Sequence, residues 1–206
     1  MTIKIIVFDF DGTLVDSNRL KYDAFFELFT DDPNHVRTIR KVLSAKKEQS
    51  RFIILEEILR QLGHKQADGI KDQVKELAER YNDLVLTGAK TCSALPEAED
   101  VLKSLTQKYR LYVSSTTPED PLREIVQFRG WAHLFVEVFG YPRQKPETIR
   151  QIFKRENAGG SEVLVVGDGE TDRQSAVENG CNFVHVGDSF RLKDLAGIIM
   201  SLSNDC

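Results

Sequence analysis

The sequence predicts an α/β protein: a parallel β-sheet covered by helices, with a small all-helical domain inserted after the first strand. Three observations carry this expectation. Ile3-Lys4-Ile5-Ile6-Val7-Phe8 is almost continuously apolar and β-branched, and a turn signal follows at once, as in a strand buried on both faces. From Leu95 onward, strand-length apolar runs alternate with helical repeats, the order that builds parallel sheets through right-handed crossovers. Between these stretches, the chain carries only helical periodicity. The expected organisation is therefore residues 1–17 with 89–206 as the α/β core and 18–88 as the inserted helical domain.

Within the insert, Leu20, Ala24, Phe25, Leu28 and Phe29 share one helical face, and Asp31-Asp32-Pro33-Asn34 breaks it. Val36, Ile39 and Leu43 mark a second helix. Ser50 suits the N-cap of a third, with Phe52, Leu55, Leu59 and Leu62 inward and Gly63 as its stop. Ile70, Val74, Leu77, Ala78, Tyr81 and Val85 describe a fourth helix ending near Gly88. In the core, Pro96 suits the first position of a helix with Ala98, Val101, Leu102 and Leu105 inside. Strand 111–114 follows, then a helix opened by Asp120-Pro121, and strand 136–139 ending at Gly140. Pro146 begins the next helix, and Val163 to Val166 is a strand as apolar as the first. A helix with Ala176 and Val177 inside stops at Gly180, and 183–186 is the last clear strand.

The totals narrow the function. A chain of 206 residues with 41% hydrophobic and 29% charged residues is long enough for one good core plus a small insert. A net charge of -4 leaves no electrostatic footprint for nucleic acid. Cys92, Cys181 and Cys206 are far apart and odd in number, which suggests neither zinc nor a disulfide framework and fits a reducing cytoplasm. No apolar run is long enough to span a membrane, and Ile3 to Phe8 is too short for a signal peptide. A monomer or small homo-oligomer is expected.

The polar residues of interest all fall just after predicted strands, where open α/β sheets bind their ligands. Asp9 and Asp11 follow the first, and Ser114, Ser115 and Thr116 the second. Lys145 follows the third, and Asp168 and Asp172 the fourth. Two carboxylates at the end of a buried strand are costly unless a metal ion or a transferring phosphoryl group pairs them. The bland reading is a strand cap before a turn. A calcium loop of the EF-hand type is rejected, because its twelfth place holds Leu20 where a bidentate Glu is needed.

Asp9-Phe10-Asp11-Gly12-Thr13-Leu14-Val15-Asp16-Ser17 resembles the first motif of the haloacid dehalogenase superfamily, most of whose members are magnesium-dependent phosphohydrolases. Ser115 is similar to the second-motif hydroxyl, with Ser114 or Thr116 as the alternative register. Lys145-Pro146 resembles the third motif, and Val166-Gly167-Asp168-Gly169-Glu170-Thr171-Asp172 the fourth. The resemblance implies a Rossmann-like parallel sheet with a helical cap, close to the phosphoglycolate phosphatases. It implies Asp9 as nucleophile, Asp11 as general acid/base with its backbone carbonyl on magnesium, Asp168 as direct metal ligand and Asp172 as its support. Ser115 and Thr116 would hold the phosphoryl group of a small phosphorylated metabolite. Pro146 would keep Lys145 extended and aimed across the sheet end. Counting Asp9, Asp168 and Asp172 as charged against magnesium and Lys145, the site is neutral only if Asp11 is protonated, as a general acid must be.

Asp11 argues against dehalogenation, since a halide leaves without a proton. The Asp-Lys-Thr-Gly-Thr of the family's transporting ATPases is absent, and Lys46 or Lys47 keeps the cap lysine of the phosphonate-cleaving members as a minor alternative. The run Arg37, Arg40, Lys41, Lys46, Lys47 and Arg51 reads first as a solvated helix face. Its functional reading is that Arg51, with Lys47, holds an anionic part of the substrate. The alternatives to a phosphatase are a sugar phosphomutase of the same superfamily and a non-hydrolytic phosphoacceptor module. The histidines read as surface or structural groups, His185 among the latter, and Trp131 as packing. Sugar phosphates, phosphoglycolate and nucleotides all remain open as substrates.

Overall fold

The computed structural model describes residues 2–46, 49–64, 67–187 and 190–204. The elements run β1 (Ile5–Phe8), α1 (Asn18–Glu27), α2 (Pro33–Ala45), α3 (Arg51–Gln61), α4 (Ala67–Thr91), α5 (Ala98–Leu105), β2 (Arg110–Pro118), α6 (Glu119–Phe128), β3 (Glu137–Tyr141), α7 (Lys145–Glu156), β4 (Val163–Gly167), α8 (Glu170–Glu178), β5 (Asn182–His185) and α9 (Leu195–Asn204). The chain divides into two compact units, residues 1–16 with 92–206, and residues 17–91.

Among the described residues of the first unit, five strands form one parallel sheet in the order β3-β2-β1-β4-β5. β1 is central and buried on both faces, which is why its sequence shows no polar alternation. One face of the sheet packs Ile5, Val7, Tyr112, Phe139, Val163 and Val165 against Ile149 and Ile152 of α7 and Ala176 of α8. Phe8 pairs in register with Val113 on one side and Val166 on the other. The residues that leave these three strands therefore emerge at one level.

In the second unit, α1 to α4 enclose a core that includes Phe25, Ile39, Leu55, Ile58 and Tyr81. The Phe25 and Tyr81 rings lie 4.6 Å apart between centroids, and the Tyr81 hydroxyl donates to the Lys21 carbonyl at 3.1 Å. Asp32 caps α2 by accepting from the Asn34 N–H at 2.7 Å, with Pro33 in the first turn.

Several local expectations are corrected. Phe52 is 46% exposed, because the buried stripe of α3 runs through Ile54, Leu55, Ile58 and Leu59 and leaves Phe52 roughly a quarter turn away. Val177 is 67% exposed for the same kind of reason, since Asp172, Ser175 and Ala176 define the inner face of α8. Ser50 precedes α3 but makes no side-chain capping bond. Gly88 does not stop α4, which continues to Thr91; a β-carbon there would lie 2.4 Å from Leu20 Cδ1, so its smallness serves packing. α5 begins at Ala98, behind Glu97 in a left-handed conformation, so Pro96 lies ahead of the helix. His185 is exposed at the end of β5. Cys92 and Cys181 are free thiols, and Cys206 lies outside the described residues. Among the described residues, no helix is long and apolar enough to cross a membrane.

Leu55 is fully buried. Leu55→Ala should cost ~2–5 kcal/mol in urea unfolding, as core truncations do. Phe52→Ala should cost under about 1 kcal/mol, the usual range for an exposed position.

Candidate active site

The carboxyl ends of β1, β2 and β4 converge on one small buried region. Asp9 is the first residue past β1, and its N–H donates to the Val166 carbonyl at 2.8 Å, which ties the end of β1 to β4. The chain then turns through Gly12, whose φ of +75° suits a residue without a β-carbon. The turn is closed by Gly12 N–H to the Val15 carbonyl and Leu14 N–H to the Phe10 carbonyl, at 2.8 and 2.9 Å. Asp9 and Asp11 are both buried.

Carboxylate oxygens of Asp9, Asp168 and Asp172 lie within 4.8 Å of one another. Asp168 follows β4, and Asp172 sits in the first turn of α8. Gly167 makes this approach feasible: a β-carbon at 167 would stand 2.3 Å from the Asp172 carboxyl carbon. Lys145, only 6% exposed, places its ammonium 2.7 Å from Asp172 Oδ1 and 3.1 Å from Asp9 Oδ1. Asp172 Oδ2 accepts from the Gly169 N–H at 3.3 Å, so both oxygens of Asp172 are engaged. Lys145 is not extended as expected. It is the first residue of α7, with Gln144 as the extended N-cap and Pro146 in the opening turn. The helix start itself aims the ammonium into the acids.

The charge balance is uneven. Burial pushes the Asp9 carboxyl up to about 7; Lys145 opposes the rise, while Asp172 and Asp11 add to it. Asp172 is likewise raised by burial, against the pull of Lys145. Burial alone would lower the Lys145 ammonium, but Asp9 and Asp172 more than offset it and hold its pKa above the ordinary lysine value.

The Asp11 carboxyl faces β2. Its Oδ2 accepts from the Thr117 hydroxyl at 2.6 Å and, weakly, from the Ser115 hydroxyl at 3.4 Å. Ser115 Oγ also accepts from the Thr117 N–H at 3.1 Å. Ser115 and Thr117 are two residues apart on a strand and share a face; Thr116, between them, is exposed. The strand runs on to Pro118, past the expected turn, with a register shift against β3 between Ser114 and Pro118. Thr117 carried no motif signal and was missed; a second hydroxyl on the same face as Ser115 was the one available hint.

Arg51 belongs to the other unit, as the first residue of α3. It is half-buried, with its guanidinium carbon 4.9 Å from the Phe52 ring centroid. Lys47 lies outside the described residues.

Comparison with known proteins agrees with this arrangement at the level of family. The model of the haloacid dehalogenase-like hydrolases matches residues 3–180. A phosphoglycolate phosphatase of Vibrio vulnificus (strain YJ016) is 26% identical over 197 residues, covering 87% of this chain and 81% of the relative. The magnesium-bound HAD-hydrolase YfnB of Bacillus subtilis is similar in fold, with a TM-score of 0.74 at 16% identity over 97% of this chain and 99% of that one. A protein assigned as a beta-phosphoglucomutase from Thermotoga maritima aligns with a TM-score of 0.70 at 16% identity, covering 99% and 100% of the two chains. With the family's model spanning both the acidic strand ends and the helical insert between them, this chain belongs to the haloacid dehalogenase-like hydrolase family.

Proposed function

We propose that this hydrolase is a magnesium-dependent phosphatase that cleaves a small phosphomonoester through an aspartyl-phosphate on Asp9. The observation that carries the reading is the meeting of Asp9, Asp168 and Asp172 within 4.8 Å, with Lys145 bridging Asp9 and Asp172. The curated relatives named phosphoglycolate phosphatases favour a phosphate ester as substrate.

The donor set suits magnesium. All three groups offer hard carboxylate oxygens, and one ammonium under-neutralises them. Asp9, Asp168 and the Asp11 backbone carbonyl are the proposed ligands, with Asp172 as support through Lys145. When bound, the ion supplies positive charge beside the phosphoryl oxygens. The chain's own groups do the rest. An Asp9 oxygen forms a bond to phosphorus while the bond to the ester oxygen breaks. Its electron pair passes to that oxygen, which takes the proton held by Asp11. Lys145 and the Ser115 hydroxyl hold the phosphoryl oxygens; Thr116, exposed on the strand between Ser115 and Thr117, is the alternative hydroxyl. In the second step, water forms a bond to phosphorus while Asp11 takes its proton; the bond from phosphorus to the Asp9 oxygen breaks, its electron pair returns to the Asp9 carboxylate, and phosphate leaves.

We assign residues 1–17 with 89–206 to the catalytic core and 18–88 to the family's cap, and we place the enzyme in the cytoplasm. Arg51 is the proposed contact to an anionic part of the substrate beyond the phosphate. A phosphomutase is the second reading, favoured by the fold shared with the Thermotoga maritima protein. Phosphate release without a bisphosphate primer separates the two.

Asp9→Asn should release no phosphate from a panel of phosphorylated metabolites in a malachite-green assay, and EDTA should abolish wild-type release. Full activity in either case sinks the reading. Arg51→Ala should raise KM for the preferred metabolite more than for para-nitrophenyl phosphate; equal changes remove Arg51 from recognition. With its folded pKa raised from the ordinary 3.8 to about 7, metal-free Asp9 holds a proton that the unfolded chain has released, so stability falls as pH rises through that window. Magnesium has to displace this proton. The concentration giving half-maximal thermal stabilisation should therefore increase up to about tenfold per pH unit below 7. A value independent of pH between 6 and 8 would show that Asp9 is not a ligand.

A further inference from the structure

We propose that Thr117 is a positioning residue that sets the orientation of Asp11 for proton delivery to the leaving group. The inference rests on the phosphatase reading above and adds to it a residue outside the family motifs. A carboxyl group turns easily about its last side-chain bond, where the torsional wells are broad. A general acid needs that rotation stopped, since its proton has to lie within hydrogen-bond reach of the departing oxygen.

The geometry points to Thr117 as the stop. Its hydroxyl donates to Asp11 Oδ2 at 2.6 Å, a well-formed O–H···O bond. The Ser115 hydroxyl approaches the same oxygen at 3.4 Å, the weaker contact of the two, and would leave it to hold a phosphoryl group. With Oδ2 held by Thr117, the plane of the Asp11 carboxyl is fixed, and with it the direction in which Asp11 delivers its proton. As the bond from Asp9 to phosphorus forms and the ester bond breaks, the leaving oxygen keeps the electron pair and takes this proton, and Asp11 is left as carboxylate.

The backbone is built around this contact. The register shift between Ser114 and Pro118 lies across Thr117, and such irregularities re-aim side chains at strand ends. The partner strand approaches very closely there. A β-carbon at Gly140 would lie 2.5 Å from the Thr117 carbonyl oxygen and 2.5 Å from Glu119 Cα. Glu119 in turn accepts from the Gly140 N–H at 3.2 Å. Gly140 and Glu119 thus hold the backbone of β2 where the Thr117 hydroxyl meets Asp11.

The test uses the full-length enzyme with magnesium and two esters, phenyl phosphate and para-nitrophenyl phosphate. Phenoxide is the more basic leaving group and depends more on a proton donor. The ratio kcat/KM reports only steps up to departure of the leaving group, so dephosphorylation does not enter. Thr117→Val, which keeps the shape and removes the hydroxyl, should lower kcat/KM for phenyl phosphate on the order of tenfold or more, part of what general acid catalysis supplies. The loss for para-nitrophenyl phosphate should be several times smaller. Thr117→Ser should restore the phenyl phosphate rate. If Thr117→Val fails a thermal-melt check for folding, Thr117→Ala is compared with Thr117→Ser in the same way. Equal losses for the two esters, or no recovery with Ser, overturn the role of Thr117 while turnover that needs Asp9 leaves the phosphatase reading standing. Absence of any turnover abolished by Asp9→Asn overturns both.

Discussion

Like charge crowded into a buried place is the constraint around which this molecule is arranged. Asp9, Asp168 and Asp172 bring carboxylate oxygens within 4.8 Å of one another, and Asp11 adds a fourth acid nearby. Such a cluster is unfavourable wherever water is excluded. Lys145 offsets part of it, lying between Asp9 and Asp172. The remaining imbalance appears as the raised Asp9 pKa, about 7, and it is what a bound cation would relieve. Stored electrostatic cost of this kind is usual at catalytic centres, because the groups are arranged for the loaded state.

The fold bears that cost through rigidity. β1 is the middle strand, paired in register on both sides and buried on both faces, so Asp9 has little freedom to move away from its neighbours. The glycines near the site serve the same end. Gly12 allows the chain to turn immediately after Asp11, and Gly167 admits the Asp172 carboxyl against the strand end. On the other side, the Thr117 and Ser115 hydroxyls face Asp11 from β2. The acids thus divide into two environments: Asp9 and Asp172 share an ammonium, while Asp11 meets hydroxyls. Two environments for neighbouring carboxyl groups are what a nucleophile and a general acid require of one site.

Membership of the haloacid dehalogenase-like hydrolases rests on the family's model over residues 3–180, and the proposed chemistry rests on the arrangement of acids and amine. The helical insert, by contrast, carries a leucine and aromatic core and none of the motif residues.

The parallel sheet, the burial of its first strand on both faces and the helical insert were legible in the sequence because each depends on local pattern. An unbroken apolar run marks a strand covered on both faces, and alternation of strand and helix fixes their relative direction. Asp9, Asp11, Lys145, Asp168 and Asp172 were legible for a related reason: charge placed directly after buried strands has few structural uses. Phe52 and Val177 were misjudged because helical periodicity gives a repeat but leaves the centre of the buried stripe to the neighbouring elements. Gly88 was misjudged because a glycine that ends a helix and one that admits Leu20 look identical as letters. Lys145 opens a helix although a proline follows it, because a proline in the first turn removes only an N–H that the helix leaves unpaired; its two buried carboxylate partners, just past β1 and in α8, lie far away in the chain. The bond from Thr117 to Asp11 joins positions 106 apart and depends on a register shift and a glycine on the next strand. Local sequence therefore determined which elements form and which of them end in charge. Only tertiary packing decided which oxygen meets which donor, because those distances are set by strand register and side-chain volume across the sheet.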